Sequence, residues 1–180
     1  MSAPLIHICG WPGSGKRTIA RHLADLIGGK VIHNHLMLDP AGALFDRGTP
    51  DHSVLREEVR GVIYRAALTM PPDVPLIVTD ALAASDAVSP LITSTLTLAV
   101  QRDSDVIPIV LDISAAENAR RLTDPSRIGS GKLTDRAVLQ SLRDAHALLH
   151  LPGAIVFDVT DLSAEQAAHL IADALKGTTE

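Results

Sequence analysis

Aromatic residues make up only 2% of this 180-residue chain: Trp11, Phe45, Tyr64 and Phe157 are all there are. A binder that stacks bases or sugars on aromatic platforms is therefore excluded, and the core must be built from Leu, Ile, Val and Ala. Cys9 is the only cysteine, so there is no intrachain disulfide and no cysteine zinc cluster. Positive charge is not in excess: the net charge is −5, against a surface that coats long nucleic acid. No apolar run reaches the ~18–20 residues of a membrane span. Residues 1–8 lack a basic region and a cleavage site, so no signal peptide is expected and a cytoplasmic protein is. What the chain does have is apolar material. Hydrophobic residues are 46% and charged ones 21%, enough for one packed domain over 1–180.

Short apolar runs alternate with helical periods. Leu5 to Cys9 reads as a strand ending at Gly10. Lys16 to Ile27 has a helical repeat at Ile19, Ala20, Leu23, Leu26 and Ile27, and Gly28-Gly29 stops it. Lys30 to His33 is a second strand and Leu36 to Phe45 a short helix. Ser53 is a candidate cap for a helix through Met70. Val74 to Thr79 is a third strand ending at Asp80. Ser85 to Arg102 reads as a helix with Pro90 near its start. Val106 to Ile113 is a fourth strand. Ser114 and Glu117 form a capping-box pattern for a helix through Leu122. Asp124 to Leu133 is a loop, and Thr134 opens a helix to about His150. Ala154 to Val159 is a fifth strand. Ser163 and Gln166 repeat the capping-box pattern before a last helix to about Leu175. Five strands alternating with helices predict parallel βαβ units and a three-layer α/β sandwich.

The strongest local signal is Gly10-Trp11-Pro12-Gly13-Ser14-Gly15-Lys16-Arg17-Thr18. It follows a strand and opens a helix, the context of a phosphate loop. Its glycines let backbone N–H groups point inward, and the helix N-terminus adds a positive dipole. Lys16 can reach β- and γ-phosphates and follow charge during transfer. The usual pattern has Ser or Thr directly after the lysine, where its hydroxyl meets Mg²⁺. Here Arg17 stands in that place and Thr18 one later. Arg17 adds a phosphate contact or points to solvent.

The loop resembles that of adenylate kinases and related nucleoside monophosphate kinases. That resemblance gives Thr18 a contact with the α/β-phosphates and a share in the metal site. The chain as a whole resembles small P-loop phosphotransferases of the shikimate, gluconate and chloramphenicol kinase type. It implies the P-loop kinase fold: a five-stranded parallel sheet of order 2-3-1-4-5 with a short lid. It also implies ATP and Mg²⁺, and adenine between the loops after strands four and five, the latter being Gly153 to Asp161.

Kinases of this kind place their acceptor between strand two and the helices that follow, here about 33–70, with a carboxylate base just after strand two. His35 falls near that place, with Asp39 four residues on and on the same helical face. A histidine suits the base role, its ordinary pKa being about 6.5. Asp39 and Asp80 are the other candidates. The run Val74 to Asp80 is Walker B–like, so Asp80 holds a metal-bound water, orients the acceptor, or caps a helix. Arg47, Arg56 and Arg60 are candidate acceptor contacts, although Arg56 and Arg60 also read as solvated charges beside Glu57 and Glu58. His33, His35 and His52 carry too little ligand spacing for zinc.

The segment at about 123–134 resembles the lid. Closure over the nucleotide would exclude water. Arg127 is the candidate transition-state arginine, and Arg120 or Arg121 could stack on adenine. The expected function is ATP-dependent phosphoryl transfer to a small-molecule acceptor, by a monomer or homodimer. A nucleoside monophosphate kinase and a nucleotide-binding switch or ATPase are the alternatives. The switch lacks support, because Asp80-Ala81-Leu82-Ala83 has no switch glycine and no Asn-Lys-x-Asp run exists.

Overall fold

The structure is a computed structural model and describes residues 2–125 and 132–177. Five strands form one parallel sheet: β1 (Leu5–Gly10), β2 (Lys30–His33), β3 (Leu76–Asp80), β4 (Val106–Asp112) and β5 (Ile155–Asp158). Their order is β2-β3-β1-β4-β5, as the sequence implies. Seven α-helices flank it among the described residues: α1 (Lys16–Ile27), α2 (His35–Leu44), α3 (Pro50–Leu68), α4 (Pro90–Gln101), α5 (Ala115–Leu122), α6 (Arg136–Ala145) and α7 (Ala164–Gly177).

Strand β1 is buried along its whole length because helices cover both faces. Ile6 and Ile8 pack with Leu23 of α1 and Ile171 of α7. Leu5 and Cys9 face the other way, toward the clusters built on α3 and α4. This alternation decides the site. His7 lies on the α3 side with Leu5 and Cys9, and Asp80 lies there with Leu76 and Val78. Leu23 is fully buried, so truncating it to alanine costs ~2–5 kcal/mol.

Helix boundaries follow local chemistry. Thr49, not Ser53, caps α3: its Oγ1 accepts from the His52 N–H at 3.3 Å and Pro50 occupies the first helical position. The segment expected as one helix from Ser85 is split. A 3₁₀ turn at Ala84–Val88 precedes α4, because Pro90 holds Ser89 extended at φ −72°, ψ 155°. Asp135, not Thr134, caps α6, with Oδ1 accepting from Ala137 and Val138. That helix stops at Ala145, short of His150, because the next residues pair elsewhere. Ala147 O and Leu149 N bond to Ala84 N and Leu82 O, and Leu148 and Leu149 are buried. Arg102 donates to Ala67 O at 2.6 Å and to Pro71 O and Val74 O at 3.1 Å. This buried guanidinium thereby satisfies carbonyls at the C-terminus of α3 and beyond it.

Candidate active site

The loop from Gly10 to Gly15 curls between β1 and α1. Gly13 and Gly15 have φ of 88° and 90°, the left-handed region open to glycine at little cost. A Cβ on Gly13 would also meet Asn118 Nδ2 at 2.9 Å. No acidic residue stands in the first turn of α1, so its dipole is left for an anion. Lys16 Nζ folds onto the loop, donating to Gly10 O at 3.0 Å and Trp11 O at 3.1 Å.

A cleft of about 210 Å³ opens beside this loop. The loop side supplies Pro12, Gly13, Gly15, Lys16, Arg17 and Thr18. The ends of β2 and β3 and the start of α2 bring His33, Asn34, His35, Leu38, Thr79 and Ala81, and Arg47 and Lys132 also line it. Loop and acceptor-side candidates thus share one cavity. His35 Nδ1 lies 2.7 Å from Asp39 Oδ1, the i,i+4 pair at the start of α2. A protonated Nδ1 donating to the carboxylate leaves Nε2 as the proton acceptor. Next to it, His33 is buried, and its pKa falls to about 4 through burial and the nearby Arg17 and Arg21 guanidiniums, so it is neutral at pH 7.

Asp80 does not line the cleft. It is fully buried, with Oδ2 3.6 Å from His7 Nε2. Burial pushes its carboxyl pKa up, but His7, Arg60 and Arg56 outweigh this and hold it below the usual carboxylate range. Arg60 is likewise buried, not solvated: it is 1% exposed, 3.4 Å from Glu57 and over the Tyr64 ring at 5.8 Å. Arg56 donates to Asn34 Oδ1 at 2.9 Å and so braces the residue preceding His35.

The nucleotide-side arginines differ from each other. Arg121 donates to the carbonyls of Val159, Thr160 and Leu162, tying the loop after β5 to α5. Arg120 is exposed and bonds to Glu117. Bonds from both arginines hold the Glu117 carboxyl at a pKa of about 2. Glu117 therefore does not complete the predicted capping box, although Ser114 Oγ does accept from its N–H. Gln166 does complete one with Ser163. Arg127 lies outside the described residues, as does half of the segment read as a lid.

Two residues with no motif around them complete the site. Asn118 is fully buried and donates Nδ2 to Pro12 O at 2.8 Å. Its Oδ1 accepts from Arg143, whose guanidinium covers the Trp11 ring at 5.2 Å. Trp11 thus faces α6 and does not line the cleft.

Parallel order 2-3-1-4-5, with a glycine loop between β1 and α1 and the cleft at the carboxyl ends of the strands, is the fold of the P-loop kinases. Solved structures share it along nearly their whole length. A sugar kinase from Janibacter is 21% identical with a TM-score of 0.61, over 97% of this chain and 95% of that one. A shikimate kinase from Acinetobacter baumannii, solved with shikimate, is 18% identical with a TM-score of 0.62, over 98% and 94%. An APS kinase from Mycobacterium tuberculosis, in complex with AMPPNP and APS, is 13% identical with a TM-score of 0.57, over 97% and 98%. No protein-family model matches the chain, and no curated protein sequence does either.

Proposed function

We propose that the chain is an ATP-dependent kinase that transfers the γ-phosphate to a hydroxyl of a small molecule. The observation that carries this is the shared cleft: the glycine loop with Lys16 and the His35–Asp39 pair line or border one cavity. Backbone N–H groups of the loop and Lys16 bind the phosphates, Lys16 giving up the loop carbonyls it now contacts. Thr18 contributes a hydroxyl on the cleft. The acceptor hydroxyl loses its proton to His35 Nε2 and its oxygen bonds to the γ-phosphorus. The bond from that phosphorus to the β,γ-bridging oxygen breaks, and ADP leaves with the electron pair. Asp39 holds the imidazole in the accepting tautomer and stabilises the imidazolium. Arg47 is the acceptor contact, and Arg56 positions Asn34. Arg60 lies deeper, among the groups around Asp80. Arg120 or Arg121 flanks the adenine, and Arg127 is the transition-state arginine.

Magnesium accompanies ATP in this chemistry and would neutralise phosphate charge. Among the described residues no cluster of three His, Cys, Asp or Glu side chains could hold a metal ion alone, and no carboxylate lines the cleft. The donor set fits an ion carried in by the phosphates and met by Thr18 and water. Asp80, sealed beneath the cleft, fits the role of a buried counter-charge better than that of a ligand.

The test is an acceptor screen with γ-labelled ATP, wild type against Lys16→Ala. Labelled product with a sugar, polyol, hydroxy acid or nucleotide, lost in Lys16→Ala, is expected. Release of inorganic phosphate alone across the panel, or a preference for guanine nucleotides, would overturn the proposal.

A further inference from the structure

Arg17 occupies the position where phosphate loops ordinarily carry the serine or threonine that meets the metal. A guanidinium there needs another purpose. Arg17 lines the cleft, in the first turn of α1, and its Nε is buried without a hydrogen-bond partner. The charged groups around it are Arg21, one turn on, and Asp39 of α2; His33 of β2 feels it too. It lines the cleft together with His33, Asn34 and His35 of the acceptor side. Asp39 is occupied by His35 at 2.7 Å. His33, only 9% exposed, presents a second buried atom without a partner, Nδ1, on the same cleft.

All formally charged side chains lining this cleft among the described residues are cations: Lys16, Arg17, Arg47 and Lys132. Phosphates of ATP engage Lys16 and the loop. A guanidinium has five N–H donors and no acceptor, and it matches a planar or tetrahedral oxyanion with paired bonds. A neutral polyol would offer this guanidinium only uncharged acceptors, whereas an oxyanion gives it paired, charge-assisted bonds. Burial and Arg21 both push the Arg17 pKa down, so an incoming anion relieves the crowding of like charge.

We propose that Arg17 is an acceptor-binding residue, and that the acceptor is a hydroxy compound bearing an oxyanion group that this guanidinium holds beside His33 while its hydroxyl faces His35. This rests on the kinase function proposed above and specifies its substrate class.

Equilibrium dialysis tests it with the full chain saturated in AMPPNP, so that the γ-phosphate position is already filled. Labelled inorganic phosphate is the probe, and competition by acetate against methyl phosphate separates carboxylate from phosphate recognition. One phosphate bound per AMPPNP-loaded chain is expected, weakened at least about tenfold by Arg17→Gln, the loss of a charge-assisted contact. Arg17→Lys should weaken it less, and Arg65→Gln, an exposed charge on α3, should not weaken it. AMPPNP binding, measured in the same samples, should stay near wild type in every variant. No phosphate bound by the AMPPNP-loaded wild type, or phosphate bound equally by Arg17→Gln, would overturn the proposal. Failure of AMPPNP to bind at all would instead overturn the kinase function beneath it.

Discussion

His35 Nδ1 and Asp39 Oδ1 sit 2.7 Å apart at the start of α2, on the rim of the cleft that the glycine loop closes. The pair fixes one imidazole nitrogen and leaves the other for the acceptor. His35→Ala should lower kcat about 10²–10⁴-fold, the usual worth of a positioned general base. Asp39→Asn should lower it less, because the ring remains. Nucleotide affinity should hold in both. Steady-state kinetics with the acceptor from the screen, beside an ATP titration, separates these effects. Full turnover in His35→Ala would remove the base role from this residue.

Asn118 joins α5 to the phosphate loop through Pro12 O at 2.8 Å, from a fully buried position. Asn118→Ala leaves that carbonyl without this donor and opens space beside Gly13. The expected cost is about 1–3 kcal/mol of stability, with weaker ATP binding because the loop loses its brace. Urea midpoints and nucleotide titrations of the same samples report both. Unchanged midpoints would show that the bond contributes nothing net.

Arg143 lies 5.2 Å from the centre of the Trp11 ring, and Trp11 is the single tryptophan. Its emission should therefore change saturably with ATP, and the change should vanish in Lys16→Ala. Arg143→Ala should shift the emission of the unliganded protein and cost ~0.5–2 kcal/mol, the range for cation–π contacts. An emission spectrum identical in wild type and Arg143→Ala would contradict the contact.

Which of these features the sequence reveals depends on how far apart the partners are in the chain. Lys16–Ile27 and Lys30–His33 are legible to the residue because the phosphate loop and Gly28-Gly29 bracket them. His35 and Asp39 are legible because one helical turn separates them. Asn118 and Pro12 are 106 residues apart, and nothing local to Asn118 distinguishes it from a polar residue on a surface helix. Arg56 and Arg60 share a helical face with Glu57 nearby, a pattern that reads as solvated. Only the register of β1 and β3 reveals that this face covers His7 and Asp80. Capping is ambiguous for a related reason, since Thr49 and Ser53 are both acceptable caps and Pro50 decides between them.

Stability should depend on pH through His33. Burial and the charges of Arg17 and Arg21 lower its folded pKa to about 4, below the ordinary 6.5. Between those values the unfolded chain binds more protons, so stability rises with pH across this window and is lost as pH falls through it. The contribution is on the order of 2 kcal/mol, allowing for partial solvent contact. Glu117 acts in the same direction but lower, between about 2 and its ordinary 4.5. Denaturant midpoints from pH 7 to pH 4 should thus flatten in His33→Asn. An identical slope in wild type and variant would exclude His33 as the cause.

Asp80 and Arg60 form the last testable pair. Both are buried, and Asp80 is the negative charge set among His7, Arg56 and Arg60. Burying charge is tolerable only while it is compensated, and removing one partner typically costs ~3–5 kcal/mol. Asp80→Asn keeps the shape and removes the charge, so it should destabilise by about 3 kcal/mol or more. Arg60→Met should also destabilise, leaving Asp80 with His7 and Arg56. The double variant should recover part of the sum, because neither charge then stands uncompensated. Chemical denaturation of the four proteins gives the coupling directly. Strict additivity would mean that Asp80 is balanced by His7 and Arg56, and that Arg60 is held by Glu57, Tyr64 and Leu91 O without reference to it.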